Sequence, residues 1–98
     1  MMEFEWYSEK ERLIAEKHKV SMEAVKRIFD DPLRIVQYDD IHSGLEERWQ
    51  TLGVANRVLF AVYTERGTKT RIITARKATP EERRIYHGES KKGSWFIP

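Results

Sequence analysis

Two hydrophobic periods divide this chain. Between residues 8 and 29 apolar side chains recur at helical spacing, and between residues 33 and 78 they alternate. SEKERLIAEKHK (8–19) carries a short apolar stripe at Leu13 and Ile14 between charged flanks. Ser8 is expected to cap this helix, with Glu9 and Glu11 in the first turn, where the helix dipole favours acids. SMEAVKRIFDDP (21–32) puts Met22, Val25, Ile28 and Phe29 on one face of a second helix. Ser21 is its expected N-cap, and Pro32 stops it by pushing the preceding residue out of the helical region. The link of two or three residues predicts a tight helical hairpin.

From there the period is two. LRIVQY (33–38), ERWQTLGVA (47–55), VLFAVYTE (58–65) and TRIITARKA (70–78) read as strands. The third is the most apolar and is expected at the centre. DDIHSGLE is a loop, Asn56-Arg57 a short turn, and RGTK a turn around Gly67. Short connectors predict antiparallel neighbours and a meander. TPEERRIYHG then opens a last helix: Thr79 as N-cap, Pro80 at the first position, Glu82 three after the cap, and Gly88 past the end. The predicted fold is α+β. Two N-terminal helices pack on one face of a four-stranded antiparallel meander, a C-terminal helix follows, and the other face is left for a ligand.

Composition adds limits. The chain has 98 residues, 40% of them hydrophobic, which predicts one domain spanning 1–98 with a modest core. It contains no cysteine, so disulfides and thiolate metal sites are excluded, in keeping with a reducing cytoplasm. The N-terminus is charged and shows no signal peptide, and no apolar run is long enough to span a bilayer. His18, His42 and His87 are dispersed and lack the spacing of metal ligands, so no metal or other cofactor is expected. Net charge is only +2, but Arg66, Lys69, Arg71, Arg76 and Lys77 follow one another without an acid between them. Such a run attracts phosphates.

Charge inside a strand needs a reason. Strict alternation puts Ile72, Thr74 and Arg76 on one side of the last strand and Arg71, Ile73, Ala75 and Lys77 on the other. Ile73 and Ala75 suit the helix-covered side, which turns Arg76 to the open face; pattern alone leaves the opposite facing open. A metal-free ribonuclease requires a base for the 2′-hydroxyl, cations for the phosphate and an acid for the leaving oxygen. Arginine suits the second task through its planar fork. Glu47, His42, Arg66, Arg71 and Arg76 contain all three chemical types, and Lys69, Lys77 and Arg48 are candidate RNA contacts. A plain cross-strand ion pair between a glutamate and an arginine is an equally good reading for either residue alone. Trp49 and Tyr63 could stack bases, though both fit a core.

FEW at Phe4–Trp6, KH.VS.E.A...F.DP from Lys17, EERW from Glu46, VYTER from Val62, and RIITARKAT..ER..Y from Arg71 to Tyr86 occur in an order and spacing that resemble the BrnT-type toxins of type II toxin–antitoxin pairs. The resemblance covers the chain from Phe4 to Tyr86; residues 88–98, with the apolar SWFIP tail, lie outside it. Two positions depart from the family pattern. Lys19 stands where a glycine is expected, at a cost of ~1 kcal/mol for a left-handed helix end, and Tyr7 stands where an aspartate is expected.

The resemblance implies a RelE-like fold and an endoribonuclease that arrests translation; because no metal-ligand cluster is visible, that cleavage is expected to need no metal. It implies neutralisation by a ribbon-helix-helix antitoxin (BrnA-like) in a hetero-oligomer that reaches operator DNA only through the antitoxin. By motif position it puts the functional acid and arginines at Glu47, Arg66 and Arg76, with Arg71 in close competition. Two other classes compete: a non-catalytic nucleic-acid or protein-binding module, and a degenerate toxin serving as an antitoxin-bound corepressor.

Overall fold

The computed structural model describes residues 2–89. Its elements run β1 (Glu3–Glu5), α1 (Ser8–His18), α2 (Met22–Ile28), β2 (Ile35–Tyr38), β3 (Trp49–Ala55), β4 (Arg57–Arg66), β5 (Lys69–Lys77) and α3 (Pro80–Tyr86). The sheet has five strands in the order β1-β5-β4-β3-β2. The expected meander is present as β2 to β5. The expectation of four antiparallel strands is corrected by β1, which pairs parallel to β5, Glu3 against Lys69 and Glu5 against Arg71. The E-F-E-W alternation carries this signal, but three residues are too few for a period to stand out.

α1 starts differently from the expectation. Tyr7, not Ser8, is the N-cap, and its side chain makes no capping bond. Ser21 caps α2 as expected, accepting from the Ala24 amide. Lys19 ends α1 in the left-handed conformation, φ 57° and ψ 38°, so the turn that favours glycine is kept without one. The turn between β3 and β4 narrows to Asn56, with Arg57 already paired to Ala55.

Both faces of the sheet carry apolar side chains. On one, α1 and α2 cover Leu59, Ala61, Tyr63, Ile72 and Ala75, with Ile14, Val25, Ile28 and Phe29 from the helices. Tyr63 is buried, and its ring meets Phe29 edge-on at 5.1 Å. Trp49 is half-buried against the same cluster, so both aromatics serve the core. Gly53 lets α2 sit close: a Cβ there would lie 2.8 Å from the Ile28 Cβ. On the other face, α3 brings Ile85 and Tyr86 over Leu52, Phe60, Val62 and Ile73. The face expected to be open is therefore covered by α3 over part of its area.

α3 is fastened twice. Thr79 and Glu82 form the capping box foreseen from sequence. At the far end the Tyr86 hydroxyl donates to Asp31, whose carboxylate also accepts from the Leu33 and Val54 amides at 2.9 Å each. Asp31 thus joins the end of α2, β3 and α3 through one side chain.

A candidate active site beside the bulge in strand β5

The register of β5 against β4 slips between Val62 and Tyr63. Val62 faces Thr74, but Tyr63 faces Ile72, and Ile73 is left as the extra residue. A bulge of this kind resets which way the side chains point. Ile72 and Ala75 join the α1/α2 cluster, whereas Ile73 joins the α3 cluster. The facing derived from strict alternation is therefore corrected for Ile72 and Ile73. Arg76 opposes Phe60 and Arg71 opposes Thr64, and Phe60, Val62 and Thr64 share one face of β4. The bulge thus brings Arg71 and Arg76 to the same side, although five positions apart they would otherwise point oppositely.

These two arginines have different surroundings. Arg76 donates to both carboxylate oxygens of Glu82 at 2.7 and 3.0 Å and to the Lys77 carbonyl at 3.1 Å, and its guanidinium lies 4.1 Å from the centre of the Phe60 ring. Glu82 is fully buried, and its carboxylate also closes the capping box on the Thr79 amide at 2.8 Å. Arg71 lies over the Tyr7 ring at 4.0 Å, with the Glu5 carboxylate at 3.5 Å. Strand β1 and the residues after it deliver both partners, and neither was among the residues picked from sequence.

Arg66 completes the group. Its fork grips Glu46 through Nε at 2.6 Å and Nη2 at 3.0 Å, with both side chains part-exposed. The hydrogen bond from Arg66 comes first in holding the Glu46 carboxyl below the usual range, and the charges of Arg66, Arg48 and Arg71 add to it. The Arg66 guanidinium is held above its ordinary value, chiefly by that bond and further by Glu46, Glu5 and Tyr7. Arg48, Arg66 and Arg71 therefore share one electrostatic neighbourhood with Glu46 and Glu5. Thr64 fixes the approach of the loop by donating to the Glu47 carbonyl at 2.7 Å.

Glu47, the acid favoured from sequence, is exposed, and its side chain enters no ion pair among the described residues. Together with Glu46 and Thr64 it lines a cleft of about 440 Å³. His42 lines an adjoining cleft with Glu46 and Arg48. Its Nδ1 lies 3.1 and 3.3 Å from the oxygens of Asp39, a buried carboxylate that also accepts from the His42 amide at 3.0 Å. Lys69 opposes Arg66 across the last hairpin, whereas Lys77 opposes Leu59 and so shares the α1/α2 side. No cluster of three or more His, Asp or Glu placed to hold a metal ion occurs among the described residues.

Residues 6–82 match the model of a family described as the ribonuclease toxin, BrnT, of type II toxin–antitoxin systems. The chain belongs to the BrnT family. A comparison with curated proteins returns no match. Among solved structures, the crystal structure of the Brucella abortus ribonuclease toxin BrnT is similar, with a TM-score of 0.60 over 81% of this chain and 99% of that one, at 16% identity. At that identity the likeness shows a shared fold. The matched segment of this BrnT-family chain holds Arg48, Arg66, Arg71, Arg76 and all of the strands except β1. The apolar SWFIP tail, which from sequence could either dock back or reach for a partner, lies outside the described residues.

Proposed function

We propose that this BrnT-family chain is a metal-independent endoribonuclease whose reacting phosphate sits between Arg66 and Arg71. The observation that carries this reading is the Arg66 fork on the part-exposed Glu46 carboxylate, with Arg71 brought to the same face of the sheet by the bulge. Two guanidinium forks can hold a phosphate in a bidentate way and balance the charge that grows on it.

The phosphate displaces Glu46 from the Arg66 fork. Relieved of that hydrogen bond, the carboxyl moves back toward its ordinary range and becomes a better base. Glu46 then takes the proton of the 2′-hydroxyl, whose oxygen attacks the adjacent phosphorus. The bond to the 5′-oxygen breaks, leaving a cyclic 2′,3′-phosphate. His42, oriented by buried Asp39, gives the leaving oxygen its proton. Arg71 keeps its place through Tyr7 stacking and Glu5. Arg76, on the same face, ties α3 to the sheet beside this surface through Glu82.

Family membership supports a wider reading, which is part of this proposal. RNA cleavage arrests translation in the cytoplasm. A ribbon-helix-helix antitoxin neutralises the toxin in a hetero-oligomer, and the complex, not the toxin alone, meets operator DNA. Kinship to RelE-like ribonucleases belongs to the same proposal. Incubation of the purified protein with RNA in EDTA tests the chemistry. Cleavage with cyclic phosphate ends is expected, and it is expected to fall sharply in Arg66→Ala. Glu46→Gln and Glu47→Gln, compared at equal RNA affinity, identify the base. Cleavage that disappears in chelator and returns with a divalent ion, with RNA folding held constant, would refute the metal-free mechanism.

A further inference from the structure

A second basic cleft lies on the opposite side of the sheet. It is about 250 Å³ in volume and is lined by Lys19, Arg27 and Arg57, together with Asn56. The three cations come from three elements: the end of α1, the last turn of α2 and the start of β4. All three are exposed, and none enters an ion pair among the described residues. No acid is among the residues lining the cleft, although Arg27 also borders a neighbouring hollow with Asp30 and Asp31. Arg57 shares the α1/α2 side with its alternate neighbour Leu59. It stands nine residues along β4 from Arg66, roughly 30 Å at the rise of an extended strand.

The backbone marks this cleft as well. Lys19, φ 57°, and Asn56, φ 69°, are the non-glycine residues with positive φ among those described, and both line it. Glycine would take the Lys19 conformation freely, whereas a lysine does so at a cost. The lysine sits in a strained position at a cleft it lines together with two arginines, and strain of this sort gathers where side chains must be placed for a task.

We infer that the Lys19–Arg27–Arg57 cleft is a second phosphate-binding site, which holds the backbone of an RNA remote from the bond being cut; this rests on the ribonuclease reading of the opposite face. Forked guanidiniums and an ammonium without protein counter-ions match phosphodiester oxygens. The distance makes the site useful only to an RNA long enough, or folded enough, to reach both ends of the sheet.

Lys19→Gly, Arg57→Ala and the double variant test it, with 2′-O-methyl RNA that binds but cannot be cut. Binding of a long strand and of a dinucleotide is followed by fluorescence anisotropy across a salt series. Lys19→Gly is expected to melt at a higher temperature than the parent and yet bind the long strand more weakly. The slope of log K against log salt is expected to shrink by about 0.7 for each phosphate that is no longer neutralised, hence about 1.4 in the double variant. Dinucleotide affinity is expected to stay at the parental value. A double variant that binds the long strand with parental affinity and slope would overturn the site while leaving the ribonuclease reading intact. Equal losses for the dinucleotide and the long strand would also overturn it, since they indicate general damage. Loss of binding to polyglutamate with RNA binding unchanged would assign the cleft to an acidic protein instead. A parent that binds no RNA at all would remove the ribonuclease reading and this site with it.

Discussion

Arg76–Glu82 and Arg66–Glu46 are the same chemical pair on the same face of the sheet, each a two-bond fork, end-on through both Nη atoms at Arg76 and side-on through Nε and Nη2 at Arg66, yet their surroundings fit them for different work. Glu82 is fully buried, and it holds the Thr79 amide as well as the Arg76 fork. Its carboxylate has no spare capacity for exchange, and Arg76 is further held against the Phe60 ring. Glu46 is 38% exposed at its side chain, and the charges of Arg48 and Arg71 act on its carboxyl in addition to Arg66. An incoming phosphate can replace it. In these two pairs it is the burial of the acid and its number of prior partners, more than residue type, that set the arginine's freedom to meet a substrate.

Breaking the structural pair gives the largest expected effect. Glu82→Gln leaves the Arg76 fork facing a neutral amide and weakens the start of α3. Removing one partner of a buried pair costs about 3–5 kcal/mol, and the exposure of Arg76 places this case near the lower end, about 3 kcal/mol. Urea denaturation measures it. A loss under about 1 kcal/mol, the range of surface pairs, would erase the contrast. Glu46→Gln, the matched change in the exposed pair, is expected to leave the urea midpoint close to the parent.

A smaller effect separates the two regions by pH. The Asp31 carboxyl at the other end of α3 is opposed by desolvation, but the Tyr86 hydroxyl, the Leu33 and Val54 amides and Arg34 outweigh that and hold it below its ordinary value. The unfolded chain then binds this proton more tightly. Its contribution to stability is present above the ordinary carboxyl pKa and is lost as pH falls through the lowered folded value. Burial, with Asp31 second, pushes the Tyr86 hydroxyl up from 10.0 to about 12. The folded chain then binds that proton more tightly, so stability falls as pH rises from 10 toward about 12. Tyr86→Phe is expected to remove the alkaline decline and to flatten the acid one. Melting curves across pH check this, and an unchanged alkaline limb would detach α3 anchoring from this bond.

Much of this arrangement is legible in the sequence where local chemistry repeats itself. The capping box at Thr79 and Glu82, the Ser21 cap and the four strands of the meander follow from period and turn residues. Strand β1 is missed because Glu3–Glu5 is too short for periodicity and pairs with a partner more than sixty residues away. The facing of β5 is missed because its bulge at Ile73 depends on register with β4, which alternation within one strand does not encode. The partner of Arg66 is not legible: Glu46 and Glu47 are adjacent and chemically alike, and only the position of Arg66 across the loop pairs it with the first. Arg76 lies in the same basic run as Arg71, and its commitment to Glu82 needs α3 folded back over the sheet. Lys19 is legible as a departure from the glycine expected at a left-handed helix end, but the cleft it joins is not.

The division of labour between Arg71 and Arg76 is tested most directly by the single-turnover rate of RNA cleavage in Arg71→Ala and Arg76→Ala, each expressed per folded molecule from parallel melting curves. Loss of a group that stabilises the reacting phosphate costs about 10²–10³ in rate. The expected result for Arg71→Ala is a loss of that size per folded molecule, alongside a fall in melting temperature because its side chain is only 9% exposed, and for Arg76→Ala a clear fall in melting temperature with a near-parental rate per folded molecule. The reverse pattern, a folded Arg76→Ala protein that no longer cuts beside an Arg71→Ala protein that cuts at the parental rate, would contradict the account.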